Sequence, residues 1–140
     1  MASFLKNNFS NYLWVTLFTI GIFFIFYLFL YRVPLDERNL LKNTKYTLAI
    51  VTSDWHYKDD SGVGVDYEYF INDKYYYKTS NIRVRKGEKY IIVYDSLNPN
   101  THCLLNNYEL SDTIIPPKNG WKYNEVPIPI DSAYIRNIIR

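Results

Sequence analysis

Asp54, His56, Asp59 and Asp60 lie in one short stretch and are the best candidate cluster for chemistry in this chain. Carboxylates with an imidazole can ligate a divalent cation or exchange protons as a general acid and base. The same stretch reads more simply as a hydrated turn. Asp59-Asp60-Ser61-Gly62 is ordinary loop composition, and the one histidine has no second ligand at motif spacing. His102-Cys103 sets a thiol beside a base, but neighbours in a strand point to opposite faces, so the two side chains do not meet and Cys103 reads as a buried structural residue. The chain carries no P-loop, no dinucleotide fingerprint and no Gly-x-Ser-x-Gly elbow. No catalytic residue, metal ligand or cofactor is assigned.

Tyr75-Tyr76-Tyr77 is the more informative cluster, with Tyr67, Tyr69, Tyr90 and Tyr94 on neighbouring strands and Arg83, Arg85, Lys86 and Lys89 near it in sequence. Aromatic surfaces edged with cations bind single-stranded nucleic acid or anionic lipid headgroups. The competing reading is cross-strand aromatic packing, since tyrosine is a good strand former. A net charge of +2 gives no electrostatic case for nucleic acid, and none is expected as a partner. Tyr75, Tyr76, Tyr77, Arg83 and Arg85 are the candidate binding residues.

Two different solvents are written into the residue usage. Of the 8 phenylalanines only Phe70 follows residue 30, whereas of the 15 tyrosines only Tyr12, Tyr27 and Tyr31 precede residue 45. Phenylalanine tolerates hydrocarbon completely, while the tyrosine hydroxyl needs water or a partner. No charge occurs from Asn7 to Tyr31, and Leu13–Tyr31 is almost wholly apolar. At about 1.5 Å per residue that run makes a helix of roughly 28 Å, which matches the hydrocarbon core of a bilayer. Tyr12 and Trp14 flank one end, Tyr27 and Tyr31 the other, and Arg32 and Pro34 close the segment. Phe29-Leu30-Tyr31-Arg32 offers no small-residue cleavage site, so the expectation is a retained single-pass helix. Arg32, Arg38, Lys42 and Lys45 follow it, against Lys6 and the terminal amine before it, and this bias places the C-terminal domain in the cytoplasm. Thr16, Thr19 and Gly21 make no small-xxx-small seam.

Past the connector the apolar period becomes two. Tyr46, Leu48 and Ile50 alternate in a first strand running toward Trp55. Val63, Val65, Tyr67, Tyr69 and Ile71 form the clearest half-buried strand. Asn72-Asp73 is a hairpin signal, and Lys74–Thr79 the return. Ile82 and Val84 suggest a short piece with Arg83 and Arg85 outward, Tyr90–Tyr94 an apolar run buried on both faces, and Thr101–Leu105 a last strand. The expected fold is mainly β: one N-terminal transmembrane helix followed by a small antiparallel meander, curved sheet or barrel of five to six strands. Its parts are a tail (1–11), the helix (12–32), a connector (33–44), the β-domain (45–105) and an irregular extension packed on it (106–140). In the extension, Val126–Ile130 offers at most an edge strand and Ser132–Arg140 a short helix.

The run Tyr67-x-Tyr69-x-Ile71-Asn72-Asp73-Lys74-x-Tyr76, then Gly87-Glu88-Lys89-Tyr90, then Val93-Tyr94-x-x-x-Asn98-Pro99 resembles a family of small bacterial membrane-anchored β-domains of unknown function. The likeness covers residues 45–105. Asn72-Asp73 replaces the family's hairpin glycine, and Ser96 stands where its first proline falls. The resemblance implies this fold at a bacterial inner membrane and supplies no activity. The expected function is a noncatalytic membrane-tethered module for protein interaction or self-association, with the lipid bilayer as its other partner. A ligand sensor, or a membrane-bound enzyme using the Asp54/His56/Asp59/Asp60 loop, is the alternative.

Overall fold

The computed structural model describes residues 2–58 and 62–139. The chain divides into two compact units, Met1–Asp36 and Glu37–Arg140.

The first unit is helical. Helix α1 spans Ala2–Tyr27 and leads through a π-helical turn, Leu28–Arg32, into α2, Val33–Lys42. Tyr12–Lys42 contains a segment long and apolar enough to cross a membrane. Its aromatic side chains project outward, with Phe18 and Phe23 about 70 % exposed. Thr16 and Thr19 donate their hydroxyls to the carbonyls of Tyr12 and Val15, each at 2.8 Å, so neither requires water. Pro34 ends the apolar run but does not interrupt the helix. The wide turn, in which the Val33 N–H reaches back to Leu28 O, shifts the hydrogen-bond register just ahead of the proline. A ring that lacks a donor and crowds the carbonyl four residues back is tolerated there. The connector is consequently helical, and it ends where Thr44 Oγ1 bonds the carbonyl of Leu40 at 2.6 Å.

The second unit is built on six antiparallel strands: β1 (Thr44–Val51), β2 (His56–Lys58), β3 (Gly62–Ile71), β4 (Lys74–Ser80), β5 (Lys89–Asp95) and β6 (His102–Glu109). The β3–β4 hairpin turns on Asn72 and Asp73 at φ 49° and 62°, left-handed conformations that Asn and Asp adopt more readily than most residues. Strands β1 and β2 run along the same edge of β3. Val51 faces Tyr67, the Thr52 and Ser53 amides both reach Asp66 O, and pairing resumes with His56 opposite Gly64. The expected continuous strand to Trp55 is thus interrupted by a bulge.

The sheet is neither a meander nor a closed barrel. β1 lies between β3 and β5, so the chain leaves β4 at one edge and crosses to the far side of β1 before β5 and β6 complete the sheet. The crossing run Asn81–Glu88 forms no strand. It passes over Gly64, whose φ of 146° and missing Cβ both matter, because a methyl group there would fall on the Ser80 carbonyl.

Each face of the sheet has its own core. On one, Tyr46, Leu48, Ile91, Val93 and Leu105 pack against Leu40, Leu110, Trp121, Ile130, Ile135 and Ile139. The C-terminal segment therefore supplies much of this core, and α3 (Ser132–Ile139) is the expected terminal helix. Val126–Ile130 forms no edge strand. Instead Trp121 exchanges both backbone hydrogen bonds with Tyr46, at 2.7 and 3.0 Å. On the other face, Ala49, Val51, Val65, Ile71 and Ile92 pack with Tyr67, Tyr69, Tyr90 and Tyr94, and Ile82 and Val84 of the crossing run lie against them. The tyrosine hydroxyls leave this core at its rim: Tyr69 donates to Pro99 O at 2.6 Å, Tyr90 to Glu88 Oε2 at 2.7 Å and Tyr94 to Asn119 O at 2.9 Å. Phenylalanine would fill the same space but remove these three hydrogen bonds, although Glu88 Oε2 and Asn119 O keep second donors in the Arg85 N–H and Lys45 Nζ. Burial of the ring, helped by nearby Tyr76, pushes the Tyr94 hydroxyl up to about 12.

Candidate functional site

The three consecutive tyrosines do not form one surface. In β4, Tyr76 points to the inner face and stacks on Tyr69, ring centroids 5.1 Å apart and planes 7° from parallel, with Lys74 Nζ 5.0 Å from its centroid. Tyr75 and Tyr77 point the other way and are 55 and 70 % exposed. Tyr75 packs on Phe70, directly across the hairpin, at 4.8 Å, and on Tyr77 at 6.3 Å. Strand alternation dictates the split. Tyr76 is a packing residue, while Phe70, Tyr75 and Tyr77 make a short aromatic ladder on the outside.

Arg83 and Arg85 belong elsewhere. In the crossing run Ile82 and Val84 turn inward, so Asn81, Arg83 and Arg85 face solvent. They line an open groove of about 800 Å³ together with Trp55, 53 % exposed, Val84, Glu88 and Tyr90. Tyr75, Tyr76 and Tyr77 are not part of its lining. Glu88 is held firmly: its Oε2 accepts the Arg85 N–H and the Tyr90 hydroxyl, both at 2.7 Å. These two bonds keep its carboxyl below the usual carboxylate range, so it is an anion at neutral pH. Trp55 was legible only as a strand-end residue; the bulge after Val51 turns it into a groove wall.

The Asp54/His56 stretch is occupied with structure. His56 Nδ1 lies 3.0 Å from the Asp54 carbonyl and 3.1 Å from Ser53 Oγ, while Nε2 is 3.5 Å from Asp66 Oδ2. Asp66 Oδ1 in turn accepts the Thr79 hydroxyl at 2.6 Å. The Asp54 carboxylate faces another way, accepting the Lys86 N–H at 3.3 Å. His56 therefore braces the bulge. Asp59 and Asp60 lie outside the described residues. Among the described residues, no three His, Cys, Asp or Glu side chains are grouped so as to hold a metal ion.

His102 and Cys103 fall on opposite faces, as the strand period requires. Burial pushes the Cys103 thiol up, away from the reactive thiolate. His102 Nδ1 lies 2.7 Å from Asn100 O, which can only accept, so Nδ1 carries the proton and Nε2 accepts the Tyr67 hydroxyl at 2.8 Å. Burial, opposed by the Asn100 carbonyl and aided by the Lys78 charge, holds His102 below its ordinary 6.5. The unfolded chain then takes up this proton more readily than the folded one. Stability from His102 is complete above pH 6.5 and is lost as pH falls through 6.5 toward the lower folded value. Melting curves from pH 8 to 5 should show the wild type losing stability over that window, with His102→Gln removing this pH-dependent part. A parallel profile in the variant would assign the loss to other groups.

Compared with family models, with characterised proteins and with solved structures, the chain matches none.

Proposed function

We propose that the chain is a noncatalytic interaction module held at a membrane by a single helix, with the β-domain recognising a protein partner. The observation that carries this reading is the outward ladder of Tyr75 and Tyr77 on Phe70. Large, stiff, half-wet rings are the side chains that dominate protein interfaces. Both histidines, the usual candidates for acid–base work, are meanwhile engaged in holding the fold.

The helix supplies the tether, and the basic residues after it favour the cytoplasmic side of a bacterial inner membrane. Cys103, the one cysteine of the chain, suits a reducing compartment. Protease added to spheroplasts should leave the domain intact; digestion would reverse the orientation. Partner binding is tested by a photo-crosslinking residue at position 77 in native membranes, which should trap one discrete protein or a second copy of the chain. The double variant Tyr75→Ala with Tyr77→Ala should weaken that association at least tenfold, since interface aromatics are worth about 2 kcal/mol or more. Its melting point should stay close to wild type, because both rings are mostly exposed. A clean monomer with no adduct would remove the reading.

A further inference from the structure

We propose that the groove beside Trp55 takes an extended acidic segment of the protein partner, with carboxylates two residues apart on Arg83 and Arg85 and an apolar side chain against Trp55; this rests on the interaction-module reading above. The crossing run sets the spacing. Its side chains alternate, with Ile82 and Val84 half-buried against the tyrosine-lined core and Asn81, Arg83 and Arg85 exposed, so Arg83 and Arg85 leave the chain at the two-residue repeat of an extended segment, and Val84 adds an apolar side chain to the groove between them. That repeat is about 6.6 Å, and a second extended chain lying alongside presents its own side chains at the same period. Guanidinium and carboxylate meet as a two-pronged, charge-assisted pair. The groove of about 800 Å³ is of ligand size, and Trp55 adds an exposed ring to its wall.

Glu88 selects among anions. Its carboxylate is fixed in the lining by the Arg85 N–H and the Tyr90 hydroxyl, so the sign of charge changes from Arg83 and Arg85 to Glu88. A nucleic-acid backbone or a layer of anionic headgroups carries one sign throughout and is repelled at Glu88. A peptide can change sign within a few residues, placing a lysine or a backbone N–H there. The matching pattern is acidic, apolar, acidic, followed by a cation.

The test is fluorescence anisotropy on the full-length chain in detergent. The probes are labelled Thr-Glu-Val-Glu-Val-Lys, its counterpart with both Glu replaced by Gln, a version with one extra Val between the two Glu, and a ten-residue oligothymidylate. The first peptide should bind, weaken as salt rises, and bind about tenfold less well to Arg83→Gln and to Arg85→Gln. Trp55→Ala should also weaken it. The Gln peptide and the respaced peptide should bind at least tenfold less well than the first. Unchanged thermal melts of the arginine variants establish that the fold is intact. Equal binding of the Gln or respaced peptide, indifference to both arginines, or arginine-dependent binding of the oligothymidylate at similar affinity would each overturn the proposal. If the peptide fails while the position-77 crosslink still forms, this groove is wrong and the interaction module stands; loss of both removes the module as well.

Discussion

Replacing Gly64 with alanine should destabilise the β-domain by about 4 kcal/mol, enough to unfold much of the population. Two independent effects act at this position. The backbone φ of 146° is one that side chains with a Cβ rarely adopt. The added methyl would also fall on the Ser80 carbonyl and within 2.9 Å of Asn81 Cα. These obstacles are backbone atoms, fixed by the β3–β4 pairing of Val65 with Ser80, and they cannot move as a flexible side-chain end would. Relief requires lifting the crossing run, which would withdraw Ile82 and Val84 from the tyrosine-lined core. Thermal or denaturant unfolding of the full chain in detergent measures the effect, with Gly21→Ala as control, since a Cβ there meets nothing within 4 Å. A Gly64→Ala midpoint equal to wild type would show that the crossover does not lie on β3 as described.

Ile22→Arg tests the tether and should reduce membrane insertion of the helix roughly a hundredfold. Ile22 lies near the middle of the apolar run, and an arginine at the centre of a spanning helix costs about 3 kcal/mol on the translocon scale. No acidic side chain lies between Asn7 and Tyr31 to offset it. Carbonate extraction of membranes should move the variant into the soluble or aggregated fraction, while Ile22→Leu stays in the pellet. Mass spectrometry of the membrane form should find α1 retained. A mature N-terminus beyond residue 30, or unchanged extraction of the arginine variant, would remove the tether.

The features open to the sequence are those carried by nearest neighbours along the chain. Nineteen uncharged positions from Leu13 to Tyr31 specify a helix suited to hydrocarbon, whatever follows them. Period-two alternation marks β1 and β3, an unbroken apolar run marks β5, and Asn72-Asp73 marks the β3–β4 hairpin, because side-chain direction and turn conformation are local properties. The same alternation already implied that Tyr76 and its two neighbours face opposite ways; reading the three as one surface overlooked it. It also placed Ile82 and Val84 inward and Arg83 and Arg85 outward, although that run pairs with no strand.

Tertiary structure alone decided which edges meet. β1 can pair with any strand of matching pattern, and its neighbours prove to be β3 and β5, with Trp121 taking the rest of one edge at Tyr46. Nothing within reach of β1 along the chain encodes that choice. It follows from burying both sheet faces at once, one under Ile82 and Val84, the other under Leu40, Trp121, Ile135 and Ile139. The groove has the same origin. Trp55 and Arg83 are brought together only because a bulge ends β1 and the chain from β4 must cross a glycine to reach β5. The long apolar helix and the strand faces are thus determined residue by residue. The groove beside Trp55 exists only once long-range burial has selected one topology from the several that the same alternation permits.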